Sequence, residues 1–454
     1  SCAKGRSGGA VRSGPARGLL LSAVRPYTPA PHLEFSGPFM AMTDDSANST
    51  WLRDATAIAL GLTVPAMVSG RAVLQGLAAA ALVGVLIIAW QDRGVFARAV
   101  AAARSRFGIA VVVAFAAMAV SIPGSLDPLR SFEAWARTLA YIGGCVLFWA
   151  FLAGDARALR QTTRTLVLFS LIGAGIVILA QLGYQEPLKW VRDEVRHMPT
   201  LWAFHTPKAY AALGACAAPI LAWVAVRETG GWRWASIGTA LLLVNIVIAT
   251  VNKSALGGLL AMLLVVSFAV AARKNRKWVA AWGIWAMATT TAVLFLVYEL
   301  PDEPSSTAVW DWMPPQLVDT HRQQIWHFTA GKIAEAPWTG YGINVINRVE
   351  GAGEILPGYQ AEALPSHPHN WILEILGETG LIGFIPVLFA IAWSAARSFR
   401  RYLLWADPAA LAQLGLTAVF WGSSLFNFSI WSSWWLIGYF LLMAMAGAGA
   451  RPRT

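Results

Sequence analysis

The segment SHPHNWILEILGETGLIG at 366–383 is the most specific feature of this sequence. His369 and Asn370 follow Pro368 and open an apolar helical pattern, and Glu374 and Glu378 follow Asn370 at four-residue steps on one helix face. A histidine at a helix start, next to water and beside an anion site, is suited to act as a general base near neutral pH. The plainer reading of an isolated histidine there is a surface cap. His367 makes a His-x-His pair with His369, and either His321 or His327 could complete a metal site. No carboxylate-supported ligand spacing accompanies them, so a metal-free site is the expectation.

Three cations stand where an anionic ligand could meet them. Lys253, in TVNKSALGG, falls at a junction between two apolar runs with almost no loop between them. A lysine there is either a snorkelling anchor or a ligand for an anion at the membrane surface. Arg322 precedes Trp326 by four residues, so both share a helix face. The alternative for Arg322 is a structural stack on the indole. Lys208, with His205 in AFHTPKAY, is a third and weaker candidate, and Arg192 is a further cation on the same side.

The elements that must position these residues are apolar. Of 454 residues, 57% come from the set AVILMFWYC and 13% are charged, against about 45–50% and 25% in a soluble domain. With a mean hydropathy of +0.53, this excludes a soluble globular enzyme, a disordered protein and a disulfide-stapled module. The net charge of +11 is spread over short clusters between apolar runs without a recognition motif. Those clusters read as topology signals, with no nucleic-acid partner. Cys145 and Cys216 lie inside apolar runs and Cys2 in a polar tail, so no structural disulfide is expected.

The fold class expected is all-α, a polytopic membrane protein with about twelve transmembrane helices. The runs fall at roughly 55–70, 73–90, 107–123, 135–153, 165–183, 208–226, 234–251, 255–272, 278–298, 380–396, 409–427 and 432–449. Several are shorter than the ~20 residues that a bilayer requires. Arginine and lysine gather in alternate loops, which by the positive-inside rule places both termini in the cytoplasm. The organisation read from this is a polar, disordered extension over 1–50, nine spans within 51–299 and one long outer loop over 300–370. An interfacial helix with three more spans over 371–449 and a cytoplasmic tail over 450–454 complete it. Met40 or Met42 is the expected natural start. A helix-like stretch, HRQQIWHFTAGKIAEA, and a Pro-Trp-Thr-Gly-Tyr-Gly turn at 337–342 lie in the long loop. Gly380 and Gly383 mark where the interfacial helix could bend into the membrane. The abundant tryptophans read as an interfacial belt.

The block His369, Asn370, Leu373, Glu378, Gly380, Gly383 resembles the hallmark of the O-antigen ligase and O-antigen polymerase family. Arg322, Trp326 and the stretch Ala336-Pro337-Trp338-Thr339-Gly340-Tyr341-Gly342 resemble that family's upstream motif. Asn252-Lys253-Ser254-Ala255-Leu256 falls where the family has a Ser-Arg-Gly-Ala-Leu-like junction. The resemblance covers roughly 55–449, with its specific motifs in about 250–385. It implies metal-independent, inverting glycan transfer without a cofactor, on the periplasmic face of the bacterial inner membrane. The donor would be an undecaprenyl-pyrophosphate-linked glycan, and the acceptor lipid A–core for a ligase or a second lipid-linked repeat for a polymerase. By the same resemblance His369 is the base, and Arg322 and Lys253 hold the pyrophosphate. Lys208 and Asn370 join them in substrate binding, and Trp326, Glu378, Gly380 and His367 support the geometry. Lys253 departs from the family's arginine and supplies a point charge in place of a planar fork, and the alternative is that Lys208 or Arg192 supplies the second cation instead. A single compact outer loop favours the ligase branch. A transporter of lipid-linked sugar is the reading from another class, and it requires polar residues deep in the spans, of which Asn245 and Asn427 are the chief candidates.

Overall fold

The computed structural model describes residues 44–196, 207–250, 252–275, 320–356 and 361–450, together with 277, 282 and 283. The expected span at 278–298, the first part of the outer loop, the extension before residue 44, the tail after 450, and His205 lie outside the described residues. Polar residues at the ends of the apolar runs set the helix starts. Asp92 caps α3 (Arg93–Ala103), Ser105 caps α4 (Arg106–Ala119), Asp127 caps α5 (Pro128–Gly154) and Asp155 caps α6 (Ala156–Gln181). In each, a side-chain oxygen accepts from one of the first backbone N–H groups that the helix itself leaves unpaired. Before them come α1 (Asp44–Thr63), a single 3-10 turn at Pro65–Val68 and α2 (Arg71–Gln91). After them come α7 (Glu186–Arg196), α8 (Pro207–Arg227), α9 (Gly230–Ala249) and α10 (Lys253–Lys274). The chain then gives α11 (Thr320–Glu335), α12 (Trp371–Trp405), α13 (Pro408–Ser423) and α14 (Ser433–Ala448).

The centre is built on α8, which packs against α9, α13 and α14. Its Ala211, Ala212, Gly214, Ala215, Ala217 and Ala218 are buried, and such small side chains let backbones approach where no water drives helices together. The crossing of α10 and α13 is closer still. A Cβ on Gly258 would stand 2.6 Å from the Val419 carbonyl oxygen. Large apolar side chains at the periphery point outward, among them Val83, Leu86, Leu241, Leu260, Leu263 and Phe389. That pattern suits a lipid surround rather than water.

Among the described residues seven helices are long and apolar enough to cross a membrane: α2, α5, α6, α8, α9, α10 and α12. The pair α3 and α4, bent by 68° at its break, adds an eighth if it counts as one span. The chain is a polytopic helical membrane protein, but these criteria give seven or eight spans there instead of twelve. The difference has physical causes. The run at 55–70 is interrupted at Thr63, and α1 begins with the polar sequence DDSANST. The runs at 409–427 and 432–449 form helices of 16 residues each, ended or started by the Ser-rich turn between them.

Candidate functional site

Asn370 starts α12 by accepting at Oδ1 from the backbone N–H groups of Ile372, at 3.0 Å, and Leu373, at 3.4 Å. The residue before it, His369, has φ +55°, a left-handed conformation uncommon outside glycine. Its backbone N–H donates to Nδ1 of His367 at 3.1 Å, and the two rings lie 4.1 Å apart. Its own Nδ1 is 3.2 Å from the Asn427 carbonyl oxygen. A carbonyl only accepts, so this bond puts a proton on Nδ1, which in the neutral ring leaves the lone pair on Nε2. His367 is held neutral: burial, then the neighbouring His369 and Arg322, push its pKa down to about 3.

Two residues four apart on α11 reach the same place. Trp326 donates from its indole nitrogen to the Pro368 carbonyl at 2.9 Å, fixing the backbone just before His369. Arg322 donates from Nη1 to the Phe426 carbonyl at 3.1 Å. The Trp326 and Phe426 rings are 5.9 Å apart. The turn after α13 therefore presents consecutive carbonyls, Phe426 to Arg322 and Asn427 to His369.

That turn is fixed from beneath by the two glutamates of α12. Glu374 accepts from the Ser429 hydroxyl and from the Ile430 backbone N–H at 2.9 Å. Glu378 accepts from the Trp431 indole and from the Asn344 backbone N–H at 2.7 Å. Both carboxyls are about 1% exposed. Their buried oxygens bind four groups of the 429–431 and 344 segments, as buried polar atoms must.

The turn at 337–342 fits into a break in α12. Gly380, at φ +57° and ψ −168°, is non-helical and releases the helix bonds around it. The freed carbonyls of Gly377 and Glu378 accept from the N–H groups of Tyr341, at 3.0 Å, and Gly342, at 2.9 Å. The freed N–H groups of Leu381 and Ile382 donate to the carbonyls of Pro337, at 2.9 Å, and Trp338, at 3.1 Å. All four helix positions regain partners from one short turn. A side chain on Gly380 would run into the Trp338 backbone, and one on Gly340 into that of Glu378. This close approach, with positive φ at both residues, is why each is glycine. The far side of the turn rests on the start of α5: Leu126 N–H donates to the Tyr341 carbonyl at 3.0 Å, and Arg348 pairs with Asp127. Tyr341 donates its hydroxyl to Glu335 at 2.9 Å, and its desolvation, then this bond to a carboxylate, push its own pKa up to about 12. Above the turn, Ile325, Ile346, Val349, Ala352 and Leu364 form a small separate core.

Lys253 and Lys208 are brought together through one side chain. Asn252 caps α10 and donates from Nδ2 to the Lys208 carbonyl at 2.8 Å. Both lysines are exposed. One turn after Lys253, a Cβ on Gly257 would lie 3.8 Å from the Phe426 ring. The lysine-bearing helix start thus reaches the residue whose carbonyl holds Arg322. Arg192, by contrast, is buried on α7.

His369, His367, Asn370, Trp326, Arg322, Glu378 and Gly380 accordingly form one contact network, and Lys253 and Lys208 adjoin it through Gly257 and Asn252. Asn370 spends its side-chain oxygen on the helix cap. His321 lies 3.4 Å from the Glu362 carbonyl. Among the described residues no three His, Cys, Asp or Glu side chains converge to hold a metal. The sequence reading placed Glu374 on one helix face with Glu378 but gave it no role, and it overlooked Ser429 and the Phe426–Asn427 carbonyls. Their signal was the run SSLFNFSIWSS at 423–433, whose serines and asparagine mark a turn within an otherwise apolar stretch. Asn427 lies in that turn and not within a span.

Comparison with known proteins covers the same region. Residues 238–388 match the family model described as O-Antigen ligase. A protein of Rickettsia prowazekii named "Putative polysaccharide ligase" is 27% identical over 165 residues, 34% of this chain and 38% of that protein. Its namesake from Rickettsia conorii is 37% identical over 99 residues, 21% of this chain and 24% of its own length. The matched part therefore spans less than two-fifths of either relative. Every residue of the network from Lys253 to Gly380 falls inside the segment that is similar to the O-Antigen ligase family model.

Proposed function

We propose that the protein transfers a glycan from a pyrophosphate-linked polyprenyl carrier to a sugar hydroxyl of lipid A–core, on the periplasmic face of the bacterial inner membrane. The observation that carries this reading is the pairing of His369 and Arg322 on adjacent carbonyls, with two lysines close by. The Nε2 lone pair of His369 accepts the proton of the acceptor hydroxyl while its oxygen bonds to the anomeric carbon. The bond from that carbon to the pyrophosphate oxygen breaks, and the carrier pyrophosphate leaves with the electron pair. Attack from the face opposite the leaving group inverts the anomeric centre. Arg322 and Lys253 stabilise the charge that grows on the pyrophosphate, fixed cations being most useful where charge develops. Lys208 adds to the same field. Trp326 and His367 hold the backbone at His369, Asn370 starts the helix that follows it, and the glutamates hold the turn that orients its ring.

Transport of the lipid-linked sugar fits less well. Asn427 sits outside the helices, and Asn245 is exposed on the surface of α9, so neither contributes to a polar path across the bundle. The experiment supplies purified protein with a pyrophosphate-linked glycan donor, lipid A–core and a second lipid-linked repeat together, in EDTA. Glycan on lipid A–core supports the proposal. Lengthening of the lipid-linked chain replaces it with a polymerase, and transfer to neither acceptor, beside active controls, overturns it.

A further inference from the structure

A second cation-rich site lies at the opposite end of α9 from Lys253. The 20 residues of α9 span ~30 Å at ~1.5 Å each, about one bilayer core. Near its start, Trp232 faces the first turns of α6, where Arg157, Arg160, Gln161 and Arg164 recur at helical spacing. Together with Thr165 and Leu168 they line a cavity of about 300 Å³.

The cavity has a charge and a gradient. Arg164 donates from Nε at 3.1 Å and Nη2 at 2.7 Å to one oxygen of the buried Glu228, and its guanidinium lies 5.0 Å from the Trp232 ring centre. Arg160 stands 4.0 Å from the other Glu228 oxygen, and Arg157 pairs with Asp54 at 2.6 Å. Three guanidinium groups against two carboxylates leave one positive charge, and the N-terminal dipole ends of α6 and α9 add to it. Gln161 brings a buried side-chain oxygen with no hydrogen-bond partner. Arg157 and Arg160 are exposed, while Leu168, 11 residues further along α6, is an exposed apolar side chain. A free anion needs only the charged end, whereas an amphiphile uses both ends.

We propose that this cavity binds the phosphate headgroup of an anionic phospholipid. Arg157 and Arg160 meet the phosphate, Gln161 accepts from a headgroup hydroxyl, and the acyl chain runs over Leu168 and Trp232. The site is separate from the transfer chemistry and stands or falls without it. The test uses the full chain in neutral detergent, with thermal unfolding followed as phosphatidylglycerol, phosphatidylcholine or inorganic phosphate is added. Phosphatidylglycerol should raise Tm at concentrations where the other two do not, and the double variant Arg157→Gln/Arg160→Gln should require at least threefold more of it. An equal response to phosphatidylcholine, a full response to phosphate alone or an unchanged response in the double variant each overturns the proposal. Arg164 is left intact because its loss would strand the buried Glu228 carboxylate. A photo-crosslinkable phosphatidylglycerol on the unaltered protein gives a second reading. Label on 157–168 or 228–234 supports the site, and label elsewhere alone refutes it.

Discussion

Arg322 and His369 are 47 positions apart in the sequence, yet each donates to one of two consecutive carbonyls, Arg322 to Phe426 at 3.1 Å and His369 to Asn427 at 3.2 Å. A single turn therefore sets the spacing between the cation and the base. Glu374 and Glu378 lock that turn, and the break at Gly380 is filled by the 337–342 turn, so both halves of the site hang on α12. The predictions below follow from those dependencies.

Gly380→Ala forces a Cβ onto the Trp338 backbone at positive φ, and Gly340→Ala does the same against Glu378. Each should destabilise the protein by about 1–3 kcal/mol, visible as a lower Tm in detergent. Because both changes disrupt the same four hydrogen bonds, the double variant should lose clearly less than the sum. Additive losses would mean that the two turns are not coupled.

Trp326→Phe keeps an aromatic ring, though a smaller one, and deletes the bond to the Pro368 carbonyl. The expected cost is about 1 kcal/mol in stability, with a several-fold lower transfer rate and little change in donor KM. A variant with unchanged turnover would show that the Pro368 carbonyl needs no anchor.

His367 has a pKa of about 3 in the fold, set first by burial, and about 6.5 unfolded. Between these values the unfolded chain binds the extra proton, so acidification favours unfolding. This contribution to stability is complete above about pH 6.5 and falls away as pH drops toward 3. His367→Asn should therefore lose less Tm than the unaltered protein between pH 7.5 and 5. Parallel Tm curves for the two proteins would contradict the desolvated, neutral state of His367.

Lys253→Ala should raise the donor KM about tenfold, since a lost charge-assisted contact of about 1.5–3 kcal/mol corresponds to at least that factor. Lys253→Arg should retain activity, because a fork also binds phosphate. Lys208→Ala should have the smaller effect of the two alanine variants. A larger effect at Lys208 would reverse the assignment of the second cation.

Much of this arrangement was legible from local chemistry. The helix at 320–335 follows from its pattern, the start at Asn370 from the capping side chain, and the bend from Gly380. The close relation of Arg322 to Trp326 follows from four-residue spacing. What spacing alone could not supply is which backbone groups these side chains meet, because Phe426, Asn427 and Ser429 are remote in sequence and their contribution is largely main-chain. Nor does a hydropathy run report where a helix stops. The Ser-rich turn at 424–432 interrupts one apolar stretch and converts two expected spans into 16-residue helices. The pairing of the 337–342 turn with the helix break is likewise invisible until both are placed together, although each glycine on its own marks an unusual backbone.

The most direct test of the account is turnover of His369→Ala with the pyrophosphate-linked donor and lipid A–core, alongside its Tm. The account predicts at least a hundredfold loss of transfer, the contribution of a positioned general base being about 10²–10⁴-fold, with unfolding close to that of the unaltered protein. Retained turnover in a folded variant would contradict the assignment of His369 as the base.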